Sequence, residues 1–120
     1  MIILAQLVDD VVANKFELQK QTTLIGRHPN CDIQIEDNAI SGQHARIVVE
    51  KNKYLDGAIE LFVEDLDSKN GTFLNGKKVC GRQALSNNDV IRFGWNEFKL
   101  MDADPHSLEA TALILQQTKS

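Results

Sequence analysis

The stretch IELFVEDLDSKNGTFLNGKKV, residues 59–79, decides the fold of this chain. Near its start Ile59, Leu61 and Val63 occupy alternate positions and would share one face, which is the pattern of a half-buried strand. Further along, Asn75-Gly76 separates the short runs TFL and KKV. This dipeptide is typical of a two-residue hairpin, because both residues tolerate positive φ. The stretch therefore predicts antiparallel strands joined by tight turns.

Short strands are predicted on both sides of this stretch as well. They cover residues 1–8, 15–20, 22–26, 32–35, 43–50, 89–93 and 97–101. Between them lie dipeptides of Asn, Asp, Gly and Pro, which are residues that favour turns. Strands that recur about every eight to twelve residues, with no helix between them, are typical of an antiparallel sandwich or barrel.

The last part of the chain has a different composition. After Asp104-Pro105 the sequence SLEATALILQQTKS, residues 107–120, is rich in strong helix formers, and Ser107 is a suitable N-cap. We expect a short C-terminal helix that packs on the β-domain or leads into a further domain. The predicted division is a β-domain at residues 1–103 and a helical extension or linker at residues 104–120.

Composition and charge narrow the class of protein. The 120 residues are 42% hydrophobic and 25% charged, which is ordinary for one globular domain. The net charge of −4 argues against a broad surface for nucleic acid. The N-terminus lacks the basic region of an export signal, and no stretch reaches the roughly 20 apolar residues of a membrane span. We expect a soluble, cytoplasmic protein, and we expect its Cys31 and Cys80 to be buried, reduced thiols.

The Ser41-x-x-His44 pair invites an enzymatic interpretation that its spacing does not favour. Residues three positions apart on a strand point to opposite faces, and no glycine elbow surrounds Ser41. A metal site built from His28, Cys31 and His44 matches no known zinc spacing. We therefore expect no catalytic activity, no metal and no cofactor.

The turns of the predicted sandwich carry polar groups that suit an anion. Three of these turns hold Arg27, Ser41 and Lys69-Asn70. Loops of a sandwich commonly gather at one end, so these side chains could converge. A guanidinium, a hydroxyl, an ammonium and an amide together offer many donors. A phosphorylated side chain, with about −1.5 to −2 charges and three acceptor oxygens, is the ligand that this set fits.

Three short motifs, taken in order, resemble the signature of one known family. Gly26-Arg27, Ser41-x-x-His44 and Asn70-Gly71-Thr72 are similar to the signature of the forkhead-associated (FHA) domain, a phosphothreonine-peptide-binding β-sandwich. The similarity runs from about Leu4 to Met101 and includes LIGRHPNCDI and DLDSKNGTFLNG. The resemblance implies an all-β, FHA/SMAD-like antiparallel sandwich of about eleven strands without catalytic activity.

The resemblance also implies roles for individual residues. Arg27 and Ser41 would contact the phosphate, and Lys69 would add a further phosphate contact. Asn70 would hold the peptide backbone through its amide. At the position after Ser41 the family often has a basic or polar residue, and this chain has Gly42, so one side-chain donor is lost while the Gly42 N–H remains.

A second group of residues would shape the loops rather than bind. His44 would support the Ser41 loop from below, and Gly26 and Gly71 would allow the loops their turns. Asn75 would brace the Asn70 loop or touch the peptide further along.

The predicted function is phosphothreonine-dependent binding of partner proteins in signalling. The partner would be a phosphothreonine-containing protein or peptide, such as a substrate of a Ser/Thr kinase, or a phosphorylated segment or downstream domain of this protein's own longer chain. Neither nucleic acid nor membrane is an expected partner. The competing hypothesis is a phosphate-independent interaction scaffold, or a regulatory domain of a larger chain, that binds through a sheet surface or the C-terminal helix.

Overall fold

The computed structural model of the chain describes residues 2–51 and 58–102, and within them every regular element is a β-strand. Two sheets face each other across one apolar core, as the sequence predicted. The eleven strands are β1 (Ile2–Val8), β2 (Val11–Glu17), β3 (Thr22–Gly26), β4 (Ile33–Gln34), β5 (Ala45–Lys51), β6 (Ile59–Asp65), β7 (Thr72–Leu74), β8 (Lys77–Lys78), β9 (Arg82–Leu85), β10 (Val90–Phe93) and β11 (Asn96–Asp102). The predicted C-terminal helix and the division at residue 104 lie outside the described residues.

The strands are arranged in two sheets of six and five strands. The first has the order β2-β1-β11-β10-β7-β8, and the second has the order β4-β3-β5-β6-β9. All neighbours run antiparallel except β3 and β4, which are parallel. The long pairing of β1 with β11 sets Ile2 opposite Asp102 and Leu7 opposite Glu97.

The core follows the alternation seen in the sequence. In β6, Leu61 and Val63 are fully buried, while Phe62 between them is only partly covered. The first sheet contributes Phe93 and Phe98, whose ring centroids lie 5.5 Å apart in an edge-on arrangement. Such aromatic pairs stabilise a core beyond the area they bury.

The β7–β8 hairpin confirms the prediction made from its turn dipeptide. Asn75 and Gly76 have φ values of 49° and 87°, and they connect strands that pair through Leu74 and Lys77. Both central residues therefore lie in the left-handed region that this hairpin type needs.

Two parts of the strand prediction were wrong. The second strand begins at Val11 and not at residue 15, because Asp9 and Asp10 take φ values of 52° and 64° and form a two-residue turn after β1. The strand β9 was missed, since three of its four residues are exposed and give no apolar alternation.

Within the described residues no helix is long and apolar enough to cross a membrane.

Candidate functional site

Four connections between strands meet at one end of the sandwich, and we call them the loop cluster. They are the β3–β4 loop (27–32), the β4–β5 loop (35–44), the β6–β7 loop (66–71) and the β10–β11 turn (94–95). Strand pairing places them together, because Ile25 lies opposite Ala45, Ala45 opposite Asp65, and Thr72 opposite Phe93.

The loop cluster brings the predicted binding residues together. The Arg27 N–H donates to the Ser41 carbonyl at 3.0 Å, and the His28 N–H donates to the Gly42 carbonyl at 3.1 Å. The Lys69 N–H donates to Ser41 Oγ at 2.9 Å. The three loops are therefore cross-linked by backbone groups and by the Ser41 hydroxyl, which fixes the places from which their side chains project.

Among the described residues, the Ser41 hydroxyl acts as an acceptor and its proton has no partner. Its hydroxyl oxygen already accepts the Lys69 N–H, so the hydroxyl proton does not have to serve that contact. The Ser41 backbone N–H donates to Nδ1 of His44 at 3.2 Å. The imidazole thus contacts the backbone of Ser41, and the Oγ of Ser41 contacts the neighbouring loop.

His44 is a buried link between two loops. It is 0% exposed, and its ring stands edge-on to Phe93 at 6.0 Å. Because Nδ1 accepts the Ser41 N–H, the proton of a neutral ring is on Nε2, which donates to the Gly71 carbonyl at 2.9 Å. With both nitrogens occupied, the imidazole has no nitrogen free to act as a base for the Ser41 hydroxyl.

Arg27 is held by its backbone and has an exposed side chain. Besides its N–H bond, its carbonyl accepts from Nε2 of Gln34 at 3.1 Å. Among the residues that the structure describes, neither the Arg27 guanidinium nor the Lys69 ammonium pairs with a carboxylate. A shallow depression of about 250 Å³ lies beside Arg27, and its lining residues are Arg27, His28, Pro29 and Gly42. The positive charge at its rim is available to an anion.

Two glycines matter here for different physical reasons. A Cβ on Gly26 would lie 2.2 Å from the Gly42 carbonyl oxygen, so close approach of two backbones requires glycine at position 26. Gly26 was expected to be needed for a turn, but it is needed because the two backbones lie too close together for a Cβ. Gly71 has a φ of 86°, in the left-handed region that glycine adopts without a steric penalty. Gly42 has open space around its α-carbon, with nothing within 4 Å of an added Cβ.

Asn70 connects two loops and retains hydrogen-bonding capacity. Its Nδ2 donates to the Ala39 carbonyl at 2.7 Å, and the residue is exposed. An amide has two N–H donors and an oxygen acceptor, so this bond leaves one N–H and the oxygen for another partner.

Asn75 does not brace the loop that holds Asn70. Its Nδ2 donates to Asp89 Oδ1 at 3.0 Å, and its Oδ1 accepts the Val90 N–H at 2.9 Å. These bonds shape the turn before β10, at the opposite end of β7 from Gly71. The predicted brace is corrected accordingly, because the short β7 separates Asn75 from the loop cluster.

Sequence reasoning missed a carboxylate that organises the β6–β7 loop. Asp65 Oδ1 accepts from Ser68 Oγ at 2.5 Å and from Thr72 Oγ1 at 2.7 Å. The Ser68 N–H donates to the second oxygen at 3.2 Å. An acid followed three residues later by a serine was a usable local signal, since such side chains often close turns.

A second carboxylate ties the β4–β5 loop to the first residue of β11. Asp37 Oδ1 accepts the Ala39 N–H at 2.9 Å, and Oδ2 accepts from Nδ2 of Asn96 at 3.1 Å. The bond from Ala39, followed by the bond from Asn96, lowers the pKa of Asp37 below its ordinary value. Because Asp37 and Asn96 are 59 positions apart, no local pattern announced this pair.

The cysteines agree only in part with their prediction. Both are free thiols; Cys31 is buried and Cys80 is exposed. Burial raises the pKa of the Cys31 thiol, which lies 3.2 Å from the Gly42 carbonyl oxygen. Within residues 2–51 and 58–102, no group of three or more His, Cys, Asp or Glu side chains could hold a metal ion.

Comparisons with known proteins confirm the resemblance seen in the motifs. The family model for the FHA domain matches residues 23–94. The oxoglutarate dehydrogenase inhibitor of Corynebacterium jeikeium is 34% identical over 88 residues, which are 73% of this chain and 54% of that protein. The chain thus spans about half the length of the curated relatives it matches.

Solved structures of FHA domains resemble the fold. The FHA domain of the CT664 protein from Chlamydia trachomatis has a TM-score of 0.73 and 33% identity, and the match covers 84% of this chain and 96% of that one. Mycobacterium tuberculosis EmbR, solved in complex with a low-affinity phosphopeptide, has a TM-score of 0.70 and 25% identity, covering 83% of this chain and 24% of that one.

Proposed function

This chain belongs to the forkhead-associated family, and from that premise we propose that it is a phosphothreonine-dependent protein interaction module. The loop cluster is the binding site, and the ligand is a phosphorylated segment of a partner protein. The observation that carries the proposal is the exposed guanidinium of Arg27, anchored through its backbone and free of any carboxylate among the described residues.

The phosphate is the part of the ligand that Arg27 and Ser41 recognise. A phosphothreonine side chain brings about −1.5 to −2 charges and three acceptor oxygens. Arg27 offers a planar fork of donors, and Ser41 offers its hydroxyl proton, since its oxygen already accepts the Lys69 N–H. The Lys69 side chain adds a positive charge, and the N–H of Gly42 replaces the side-chain donor that the family often has there.

The peptide backbone is the part that Asn70 recognises. Its amide keeps one N–H and its oxygen after bonding to Ala39, and these groups match the carbonyl and N–H of an extended peptide. His44, Gly26 and Gly71 act through loop shape and do not touch the ligand. Binding by this site is therefore recognition without chemistry, and the absence of catalytic activity remains a prediction.

The partner is a protein phosphorylated by a Ser/Thr kinase, or a phosphorylated segment of this protein's own longer chain. EmbR, a structural neighbour, was solved with a phosphopeptide, which supports the ligand class. The Corynebacterium jeikeium relative is named as an inhibitor of an enzyme, which supports a regulatory role through binding. The cytoplasmic location predicted from the sequence stays a prediction.

Titration of a phosphothreonine peptide library tests the proposal. Arg27→Ala should weaken binding by about 2–5 kcal/mol, because it removes the guanidinium that pairs with a desolvated phosphate. Arg82→Ala is the matched control: this arginine lies on β9 and pairs with Glu50 and Glu64, so binding should stay at the wild-type value. If wild type bound phosphorylated and unmodified peptides equally well, and Arg27→Ala bound them as tightly as wild type, the result would favour a phosphate-independent scaffold.

A further inference from the structure

A groove opens at the end of the sandwich opposite the loop cluster, and we call it the distal groove. Its volume of about 560 Å³ lies within the roughly 300–1,000 Å³ of pockets that hold a ligand. The first sheet contributes Ile2 to its lining, and the second sheet contributes Val49 and Ile59. The β2–β3 connection (18–21) forms another wall.

The lining of the distal groove is an open edge of the apolar core. Ile2 and Leu18 are buried members of that core, and the Leu18 N–H donates to the Ile2 carbonyl at 2.8 Å. Val49 and Ile59 are only partly buried and pack against the same core. Because covering apolar surface that still faces water is favourable, the groove fits an apolar occupant.

Lysine side chains add positive charge to the distal groove. Both Lys20 and Lys51 line it. Lys20 pairs with Asp32 at 2.5 Å, whereas among the described residues no carboxylate pairs with Lys51. The groove therefore fits a segment that carries an acidic group beside its apolar side chains.

The sequence that follows β11 has this composition and begins beside the groove. β11 ends at Asp102, which lies opposite Ile2 in the β1–β11 pairing. In LEATALIL, residues 108–115, six of the eight residues are apolar and one is the acid Glu109. Leu108 is six positions after Asp102, and an extended chain of that length spans up to about 20 Å. Tethering gives this segment a high effective concentration at the groove, which a free partner lacks.

We propose that residues 108–115 dock into the distal groove of their own chain, with aliphatic side chains on its apolar lining and Glu109 beside Lys51. β5 carries Ala45 at the loop cluster and Lys51 at the groove, and its seven residues hold the two sites about 20 Å apart. The docked segment closes the open edge of the core and leaves the loop cluster uncovered. The C-terminal extension is then part of the folded domain and not a linker, whatever ligand the loop cluster binds.

Carbodiimide crosslinking of the 120-residue chain tests which surface the segment contacts. The reagent joins a lysine amine to a carboxylate that lies next to it, so Lys51 and Glu109 should be joined, and mass spectrometry of the digest identifies the pair. Lys69 is the control amine, because it is exposed and lies in the loop cluster. Joining of Glu109 to Lys69 as often as to Lys51 would overturn the proposal.

A mixture of unlabelled chains and chains labelled with heavy nitrogen shows whose segment fills the groove. Each Lys51–Glu109 pair should then consist of two labelled or two unlabelled peptides. Mixed pairs at the frequency of random combination would assign the groove to the segment of a second copy and would overturn docking within one chain.

A double-mutant cycle followed by urea unfolding tests whether the contact stabilises the domain. Leu113→Ser, Ile114→Ser and Leu115→Ser together should lower the folding equilibrium constant by about tenfold or more, since burial of one aliphatic side chain has an effect of that size. Val49→Ser removes part of the same contact, so its loss and the triple variant's loss should combine to less than their sum. Val11→Ser is the matched control, because Val11 is 66% exposed and does not line the groove, and its effect should add. Full additivity for Val49→Ser as well would contradict a contact between the segment and the groove.

Discussion

The loop cluster and the β1–β2 hairpin both connect strands, but long-range contacts shape the loop cluster and local backbone conformation shapes the hairpin. The hairpin turn is made by Asp9 and Asp10 alone, with φ values of 52° and 64°, and exposed valines flank it. In the loop cluster, the shape depends on bonds between distant residues, such as Lys69 to Ser41 and His44 to Gly71. A change in the hairpin should stay local, whereas a change in the loop cluster should alter several loops together.

The strongest test of this difference is a methyl group on Gly26. Its Cβ would meet the Gly42 carbonyl oxygen at 2.2 Å, and two backbone segments would have to separate. We expect Gly26→Ala to cost about 3 kcal/mol of unfolding free energy, a typical value for severe overpacking. Urea denaturation followed by circular dichroism measures this.

Gly42→Ala is the matched control for that substitution. An added Cβ at position 42 meets nothing within 4 Å, so its unfolding free energy should change by less than about 0.5 kcal/mol. Equal losses for the two alanine variants would show that the β3–β4 and β4–β5 loops are not in close backbone contact.

Removing the buried imidazole should have the next largest effect. His44→Ala deletes the bonds to the Ser41 N–H and the Gly71 carbonyl and leaves a cavity beside Phe93. We expect a loss of about 2–4 kcal/mol of unfolding free energy, together with weaker phosphopeptide binding. Thermal unfolding and peptide titration on the same samples measure both.

The hairpin supplies the contrast for His44→Ala. Asp10→Gly places a residue that readily adopts positive φ into the turn, so stability should stay within about 0.5 kcal/mol and peptide binding should not change. A hairpin variant that weakened peptide binding as much as His44→Ala would contradict the separation of the two regions.

The smallest effect on stability is expected when low pH protonates the Asp37 carboxylate. Hydrogen bonds from Ala39 and Asn96 lower its pKa in the folded protein, so the stabilisation by its charged form is present above the ordinary carboxyl pKa. That stabilisation is lost as the pH falls through the lowered value. Asp37→Asn should therefore be less stable than wild type at pH 7, and the difference should shrink below about pH 4.

Urea unfolding of wild type and Asp37→Asn at a series of pH values measures that difference. Asp89→Asn is a useful comparison, because Asp89 bonds to Asn75 and the β9–β10 turn and not to the loop cluster. If the difference in unfolding free energy between wild type and Asp37→Asn stayed constant across the pH range, the charge on Asp37 would not be what stabilises its bonds to Ala39 and Asn96.

The features predicted well from the sequence are those encoded by neighbouring residues or by an ordered set of motifs. The alternation in β6 and the Asn75-Gly76 turn are local signals, and both predictions are confirmed. Arg27, Ser41 and Asn70 were expected to converge because the loops of a sandwich commonly gather at one end, and the structure places their loops in contact.

The features that sequence reasoning missed depend on partners far along the chain or on unusual turn chemistry. The Asp37–Asn96 bond joins residues 59 positions apart, so no window of sequence contains it. Asp9-Asp10 lacks the glycine that usually marks a two-residue hairpin, which hid the start of β2. The exposure of Trp95 in the β10–β11 turn was not predicted, because size and apolar character alone do not show that a turn projects a ring into water.

The pairing of Ile2 with Asp102 has a practical consequence for protein engineering. The two residues lie on adjacent strands, about 5 Å apart, at the end of β11 farthest from Gly94. The seven residues of β11 separate that end from the loop cluster by about 20 Å. Insertion into a surface loop of a host protein through residues 2 and 102 would therefore place both junctions about 20 Å from the loop cluster.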